Sequence, residues 1–478
     1  MKNMKTGSPA AHRLPGLAMT RARAIALALS ALLAGCAVGP DYQRPAIEMP
    51  GEYTAPEVGT QSTVSDRWWT LYGDATLDQL VTDALQRNAD IELAVARVAE
   101  AEGTLKEAGA SLFPEIDAGV AASRTRVSSS TALANPPPLV RNDVRAALAT
   151  SFEIDFWGRL RRGREAAAAL AAGSHYGRDV VSLSVAGLVA QTYFNIRSLD
   201  AQLALAESTL AARTDSLDVA KSRANAGLAS DLDINQAQIA LSDAVLQVRE
   251  LQRQRDLAEH LLATLEGKLD LKIARSDAPL PALPAMPASG LPSQLLERRP
   301  DVRQAEELLA SANAQIGVAK AAYFPTISLT ASDGGQSTAL ASALNAQAGI
   351  WSVGVNALMP LLDWGRTSAR VGEATARRDQ AVATYRKTAQ TAFREVADAL
   401  TEVRIYRDVE QEVRGRAAVA RDTLQLVNTR YKSGYSAYLE VLDAQRTAND
   451  AELAVERQRL ALLSASVNLM KALGGGWS

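Results

Sequence analysis

The chain is short of the residues on which most catalytic and metal sites depend. Among 478 residues there are one cysteine and three histidines, and aromatic residues make up only 5%. No zinc-ligand spacing, phosphate loop or nucleophile elbow is present. His12 lies in the N-terminal leader, while His175 and His260 each stand alone among helix-forming residues. The sequence therefore reads as a non-enzyme with no cofactor. Charge of one sign is lacking too. The formal balance is −2; with the five basic residues of positions 1–35 set aside, 46 basic face 53 acidic residues, or −7. That excludes the basic face a nucleic-acid partner requires. Proline is missing from residues 139–278 and from everything after Pro360, although the chain holds 18. With no ring to remove an amide or clash with the preceding turn, helix can run unbroken through both gaps.

A repeat fills those gaps. One run starts at Trp157-Gly158-Arg159 and turns at Asn225-Ala226-Gly227-Leu228. The other starts at Trp364-Gly365-Arg366 and turns at Lys432-Ser433-Gly434-Tyr435. Trp157 to Trp364 and Gly227 to Gly434 are both 207 residues apart. Residues 159–224 and 366–431 are 66 residues each without proline. At ~1.5 Å per residue such a helix is on the order of 100 Å long, so it crosses a space rather than fills a globule. The Ala- and Leu-rich composition suits close packing of these helices through small side chains. The duplication overrides the two or three domains that length alone suggests.

Taken in order, Arg21 and Arg23 precede an apolar run over 24–33 and then Leu33-Ala34-Gly35-Cys36. A basic region, a short apolar stretch and small residues at the cut describe a secretory signal over 1–35, removed on export. Its apolar run is too short to span a bilayer. The residues before Met19 add nothing to this pattern, so both Met1 and Met19 stand as starts. Cys36 follows a sequence resembling a bacterial lipobox, which makes it the lipidation site, and Ala37 gives no inner-membrane retention signal. Residues 36–76, with Pro40, Pro45, Pro50 and Pro56, form a tether that Trp68, Trp69 and Tyr72 pack onto the body.

The first repeat covers 77–270, with a helix over 77–110, a β-hairpin over 115–156 and a helical hairpin whose tip lies near 225–236. On the first helix Leu77, Leu80, Val81, Ala84 and Leu85 mark one face, and Ile91, Val95, Val98 and Leu105 mark a further stretch. A proline-rich connector spans 271–293 and cannot be helical throughout. The second repeat covers 294–473, with a β-hairpin over 326–360 and a tip near 432–443; a tail occupies 474–478.

From Glu115 the hydrophobic period becomes two. Ile116, Ala118, Val120 and Ala122 alternate with smaller or polar residues; Val144, Ala146, Leu148, Thr150, Phe152 and Ile154 do so again. Phe324-Pro325 repeats Phe113-Pro114, and Ile327, Leu329, Ala331, Trp351, Val353, Val355 and Met359 keep the same phase. Such strands have the length and pattern of a transmembrane barrel, with charged Asp117, Arg145 and Glu153 on the wet side. A soluble hairpin with one buried face gives the same alternation, and the doubled pattern argues against it. Four strands cannot close a barrel, and open edges are not tolerated in a bilayer. The chain must then oligomerise, as a dimer of eight strands or a trimer of twelve. A conduit favours twelve. Along the first long helix Leu199, Leu203, Ala206, Leu210, Leu217, Ala220 and Ala224 form a narrow seam broken at Arg213; Tyr406, Glu410, Val413, Ala417, Leu424, Val427 and Tyr431 are its counterparts.

Each long helix ends at a glycine suited to a left-handed cap. Ser230 stands three before Asp233, as in a capping box. Acidic residues in a first turn are favoured by the helix dipole, which by itself accounts for Asp233, Glu440 and Asp443.

Four motifs carry a resemblance: Cys36-Ala-Val-Gly-Pro-Asp-Tyr-Gln-Arg-Pro45, Val189-Ala-Gln-Thr-Tyr-Phe-Asn-Ile-Arg197, Glu297-Arg-Arg-Pro-Asp-Val-Arg-Gln-Ala-Glu306 and Ile316-Gly-Val-Ala-Lys-Ala-Ala-Tyr-Phe-Pro325. Over essentially its whole mature length the chain resembles the TolC-like outer-membrane factors of tripartite pumps, of the efflux-type lipoprotein branch. The resemblance implies a mostly α chain with a small β membrane part. Long α-hairpins form an α-barrel, and four β-strands per chain are completed in a homotrimer. The result is a twelve-stranded barrel on a twelve-helix periplasmic tube, with 36–76 and 271–293 at its equator.

It implies an outer-membrane location with a periplasmic extension, and passive conduction of drugs or other toxic compounds. The implied partners are outer-membrane lipid, a periplasmic adaptor and an inner-membrane transporter of the proton-driven (RND) type. Glu440 and Asp443 would then form acidic rings at the narrowest point, and Asp233 and Tyr431 would help hold it shut. Gly227, Leu228, Ser230, Gly434, Tyr435 and Ser436 would be the tip positions that meet the adaptor. At Ser436 the chain departs from relatives that place an arginine in a closing salt bridge. The competing reading is a periplasmic lipoprotein adaptor or coiled-coil stalk, against which the doubled membrane-type hairpin argues.

Overall fold

Local chemistry at each boundary decides where the elements begin and end. In a computed structural model of the chain, residues 37–48, 50, 53, 66–126, 128, 140–276, 278–286 and 295–476 are described. The signal expected over 1–35, the expected lipidation site Cys36, residues 129–139 of the first β-hairpin, residues 287–293 of the connector and the last two residues of the tail lie outside them.

The helix expected over 77–110 is in fact two. α1 (Ala75–Arg87) starts at Asp74, whose carboxylate accepts the amides of Thr76 (2.9 Å) and Leu77 (3.2 Å). It stops at Asn88, which is extended with ψ 130°. The Asn88 side-chain oxygen accepts the amides of Asp90 (2.9 Å) and Ile91 (3.3 Å) and so opens α2 (Ala89–Ala110). Its Nδ2 donates to the Leu265 carbonyl at 2.9 Å. A single buried Asn ends one helix and begins the next, and capping of this kind is worth about 1 kcal/mol. On α2 the buried positions are Ile91, Ala94, Val98 and Ala101, while Val95 stays 51% exposed. Ala94 and Ala101, rather than Val95, fill the buried face.

Then follow β1 (Glu115–Arg126), β2 (Val140–Ile154), α3 (Arg159–Asn225), α4 (Asp231–Leu265), α5 (Pro300–Ala321), β3 (Thr326–Ser337), β4 (Gly349–Leu358), α6 (Arg366–Lys432) and α7 (Tyr438–Ala472), with short helical turns at Trp68–Tyr72, Leu295–Arg298 and Leu340–Ala343. α3 and α6 are each 67 residues long, and α4 and α7 each 35. Among the described residues no helix is long and apolar enough to cross a membrane, a finding that does not bear on strands.

The chain divides into two compact units. The first gathers residues 1–43, 103–169 and 310–379 and contains one antiparallel sheet in the order β1-β2-β3-β4. Its register sets Ala118 opposite Leu148, Phe152 opposite Leu329, and Leu329 opposite Val355. The apolar positions of all four strands therefore share one face, interrupted by Asp333 between Leu148 and Trp351. The other face is polar. Arg145 reaches Ser332 at 3.3 Å, Gln336 reaches Asp143 at 2.7 Å, and Glu153 holds Arg159 through two bonds of 2.9 and 2.6 Å. Among the described residues of this unit nothing covers the apolar face: Val120, Val353 and Val355 are each more than 70% exposed.

An N-terminal strap lies in the same unit. Val38 donates to the Trp157 carbonyl (3.0 Å), Asn313 to that of Pro40 (2.9 Å), and Arg162 pairs with Asp41 at 2.6 Å. The strap crosses α5 where a Cβ on Gly317 would stand 2.7 Å from the Val38 carbonyl oxygen, so only glycine lets it pass.

The second unit gathers residues 44–102, 170–309 and 380–478. Trp68, Trp69 and Tyr72 are buried in it; the Tyr72 hydroxyl lies 2.7 Å from Ser466 Oγ and its ring 5.0 Å from Phe194. Burial pushes the Tyr72 phenol well above its usual range. Several motif residues turn out to be structural. Arg44 grips Glu306 through bonds of 2.6 and 2.8 Å, Tyr193 donates to Asp74 (2.8 Å), and Arg299 joins Asp301 and Glu395, each at 2.7 Å. The α3 seam is buried at Leu199, Leu203, Ala206, Leu217 and Ala220. Its break, Arg213, is buried as well and bonds Gln445 of α7, while Thr209 meets Asn449 at 3.1 Å. α3 thus packs along the return helix of the other repeat as well as its own.

Candidate functional site

Two helical turns in the second unit hold most of the residues singled out above. Both are built alike. Gly227 (φ 75°) and Gly434 (φ 81°) sit in the left-handed region. Leu228 then donates back to the Arg223 carbonyl at 2.8 Å, and Tyr435 to that of Arg430 at 2.9 Å. A second bond follows in each: Gly227 to the Ala224 carbonyl (2.9 Å) and Gly434 to that of Tyr431 (3.0 Å). This double closure satisfies the last carbonyls of a helix and asks for glycine at its centre. Leu228 (69%) and Tyr435 (78%) project outward, exposing apolar surface on both turns.

The first turn restarts helix with a full capping box. Asp233 N donates to Ser230 Oγ at 3.4 Å, and Ser230 N donates to Asp233 Oδ2 at 3.0 Å. The second has Ala437 where the first has Ser230, and its serine has moved back one place. Ser436 Oγ donates to Glu440 Oε2 at 2.6 Å, and the Ala437 amide lies 3.5 Å from Glu440 Oε1. The Ser436 hydroxyl, chiefly, and then the Ala437 amide hold the Glu440 carboxyl below its usual range, with Arg430 adding to the effect. Ser436, at the position where the resemblance leads us to expect an arginine, engages the Glu440 carboxylate.

Spacing of three places Glu440 and Asp443 on one face of α7. Asp443 pairs with Arg446 at 2.8 Å, with both side chains mostly exposed. An exposed pair of this kind contributes well under about 1 kcal/mol, so Asp443 is not locked in place. Both carboxylates line an open groove of about 710 Å³ together with Arg416 and Glu412.

The two turns meet in one apolar cluster. Leu217 and Ala220 of α3, Ala237 of α4, and Tyr438 and Val441 of α7 are buried there, with Ile234, Val427 and Tyr431 packed against them. The Tyr431 and Tyr438 rings are 5.6 Å apart, and the Arg223 guanidinium stands 4.7 Å from the Tyr431 ring centroid. Burial raises both phenols above their usual range; arginine opposes it, Arg223 at Tyr431 and Arg213 at Tyr438, and Asp233 adds to both rises. Burial also lowers the Arg213 guanidinium. Asp233 and Tyr431 therefore share one neighbourhood, although more than 190 residues separate them.

Sequence reasoning missed Arg223, Arg446 and Tyr438. The spacing of Asp443 and Arg446 on a helix could have shown that pair. Nothing local could have brought Arg223 to Tyr431. His175 is 3.2 Å from Glu102 on a surface, and no cluster that could hold a metal occurs among the described residues.

The family model described as outer membrane efflux protein matches residues 80–268 and 291–475. The solvent efflux pump outer membrane protein SrpC of Pseudomonas putida is 34% identical over 467 residues, covering 94% of this chain and 97% of that protein. Outer membrane protein OprJ of Pseudomonas aeruginosa is 32% identical over 456 residues, covering 95% of each. Among solved structures, the outer-membrane channel OprN superposes with a TM-score of 0.87 at 29% identity, over 92% of this chain and 100% of that one.

Proposed function

This chain belongs to the outer membrane efflux protein family and is an outer-membrane efflux channel, and from that premise we propose how it is completed and gated. Three copies share one barrel. The observation that carries this is the sheet: among the described residues β1 and β4 each pair on one side only, and the apolar face is bare. Unpaired amides in hydrocarbon cost several kcal/mol each, so neither edge survives in a bilayer without a neighbour. Twelve strands leave a lumen, whereas eight fill with side chains. The polar ladder of Arg145, Ser332 and Ser352 faces that lumen, and Cys36 anchors the chain in the membrane through its acyl groups.

At the turns, three copies of Glu440 and Asp443 form two acidic rings around the periplasmic entrance. Rings of carboxylates draw cations and are blocked by multivalent ones. Tyr431, Asp233 and their shared cluster hold the closed state, with Ser436 in place of an arginine latch. Gly227, Leu228 and Ser230 of one turn, and Gly434, Tyr435 and Ser436 of the other, form the surface that a periplasmic adaptor grips. The adaptor in turn links to an inner-membrane transporter of the RND type. The cargo is a set of small toxic compounds: the relatives are named for solvent, toluene and antibiotic efflux. No chemical step is involved.

Conductance in planar bilayers tests the gate. Glu440→Ala with Asp443→Ala should abolish most of the block by divalent and trivalent cations, and unchanged block would remove both residues from the gate. Light scattering of the detergent-solubilised full chain should give three copies per particle; a monodisperse monomer would sink the shared barrel.

A further inference from the structure

Inside one chain, the end of β2 meets the start of β3 through an aromatic clasp. The Trp157 ring stacks on Phe324 with centroids 4.5 Å apart and planes at 22°, and its Nε1 donates to the Pro325 carbonyl at 2.8 Å. The repeat supplies these parts twice. Phe113-Pro114 precedes β1 as Phe324-Pro325 precedes β3, and Trp364-Gly365 follows β4 as Trp157-Gly158 follows β2. Yet only one of the two Trp ends has its Phe-Pro start within reach. Trp364 is 89% exposed and Phe113 71%.

Three further differences mark the same place. β2 extends to Ile154, paired with Ile327, whereas β4 stops at Leu358, three residues short of the equivalent Leu361. Leu361 (89%) and Ile116 (71%) stand bare. Trp364, at φ 55°, is the one non-glycine among the described residues in the left-handed region, and its counterpart Trp157 is not there. The Trp157 end, which has a partner, is relaxed and long; the Trp364 end, which carries Pro360 where the first repeat has Glu153, is short and strained.

We propose that the β4–α6 junction docks the β1 start of a second copy of this chain, with Trp364 stacked on Phe113 and its indole N–H bonded to the Pro114 carbonyl. The inference rests on the shared-barrel reading and adds residues and register to it. Carrying the β2–β3 pairing forward by 207 residues on one strand and back by 211 on the other sets Leu361 opposite Ile116. It also sets Ala357 opposite Val120 and Val355 opposite Ala122. The occupant is a copy of this chain because its own β3 start is the only shape for which the Trp end is shown to be built, and Phe113-Pro114 is its one duplicate. Three such clasps close a ring with the three internal ones, so that six Trp–Phe stacks girdle the barrel where strands become helices.

Cysteine crosslinking of the full-length protein in outer-membrane fractions tests the register. Leu361→Cys with Ile116→Cys should give dimer and trimer bands on oxidation. Leu361→Cys with Val120→Cys, displaced by four residues, should give none, and each single variant controls for bonding through Cys36. In a second arm, Trp364→Ala and Phe113→Ala should lose the SDS-resistant trimer band at temperatures where wild type keeps it. Trp364→Phe, which keeps the stack and drops the donor, should fall between. A wild-type monomer would overturn the shared barrel and the clasp together. A wild-type trimer without the register-specific crosslink, or with unchanged SDS resistance in both alanine variants, overturns the clasp alone.

Discussion

The two helical turns share a backbone and differ in what their side chains do. Both close on a left-handed glycine with the same pair of bonds, and both restart a 35-residue helix. At the first turn, Ser230 and Asp233 satisfy each other as a cap, and Asp231 in the first helical position is exposed. At the second, the equivalent positions carry Ala437, Glu440 and Tyr438; the tyrosine is buried, and the carboxylate answers to Ser436 instead. Duplication preserved the geometry that needs glycine and released the side chains for different duties. The first turn's acid stabilises its own helix, and the second turn's acids face outward.

The largest break in that comparison should come at its buried member. Tyr438→Ala removes a ring from the shared cluster and should cost about 3–5 kcal/mol, as core aromatic truncations do. Asp231→Ala at the matching site should stay within about 0.5 kcal/mol. Denaturant unfolding followed by helical circular dichroism reads both, and equal losses would mean the turns are energetically alike. Tyr438→Phe should be close to neutral, since the buried hydroxyl makes no hydrogen bond.

Next in size is the cap. Ser230→Ala should lose about 1 kcal/mol and leave cation block of conductance as it was. The reverse exchange, Ala437→Ser, should gain a smaller amount by building at the second turn the box found at the first. A cation block that changed with Ser230→Ala would show that the first turn shapes the acidic rings as well as the closed state.

The smallest effect is a displacement in pH. Glu440 is held below the usual carboxylate range, so its charge, and any stability drawn from it, is present above that range and is lost as pH falls through the lowered value. Ser436→Ala removes the main cause. Cation selectivity should then fade at a higher pH on acidification than in wild type. Coincident titration curves for the two proteins would mean that the serine does not hold the carboxylate in the assembled channel.

Periodicity and spacing made much of this legible. Period-two alternation located the strands, and proline gaps located the long helices, because both signals depend only on neighbours within a few residues. The Ser230–Asp233 box was readable for the same reason. The break at Asn88 was not, since the surrounding apolar pattern continues through it, and what buries this cap is the bond from its amide to the distant Leu265 carbonyl. The seam break at Arg213 looked like a defect and proved to be a contact with Gln445 on the other repeat. Two recognition motifs, around Arg44 and Glu306, gave the resemblance without hinting that they grip each other.

The amino-acid order alone determined that there are two repeats, that each joins a strand pair to a helical hairpin, and that neither can close by itself. Those are matters of period, of proline and of unpaired edges, and they hold for any packing. Tertiary structure decided which residues meet across the repeats: Arg223 with Tyr431, Asp233 near Tyr438, and Trp157 but not Trp364 on an aromatic partner. Contacts between residues about 200 positions apart depend on how helices and strands are laid side by side. Chain spacing carries no record of that.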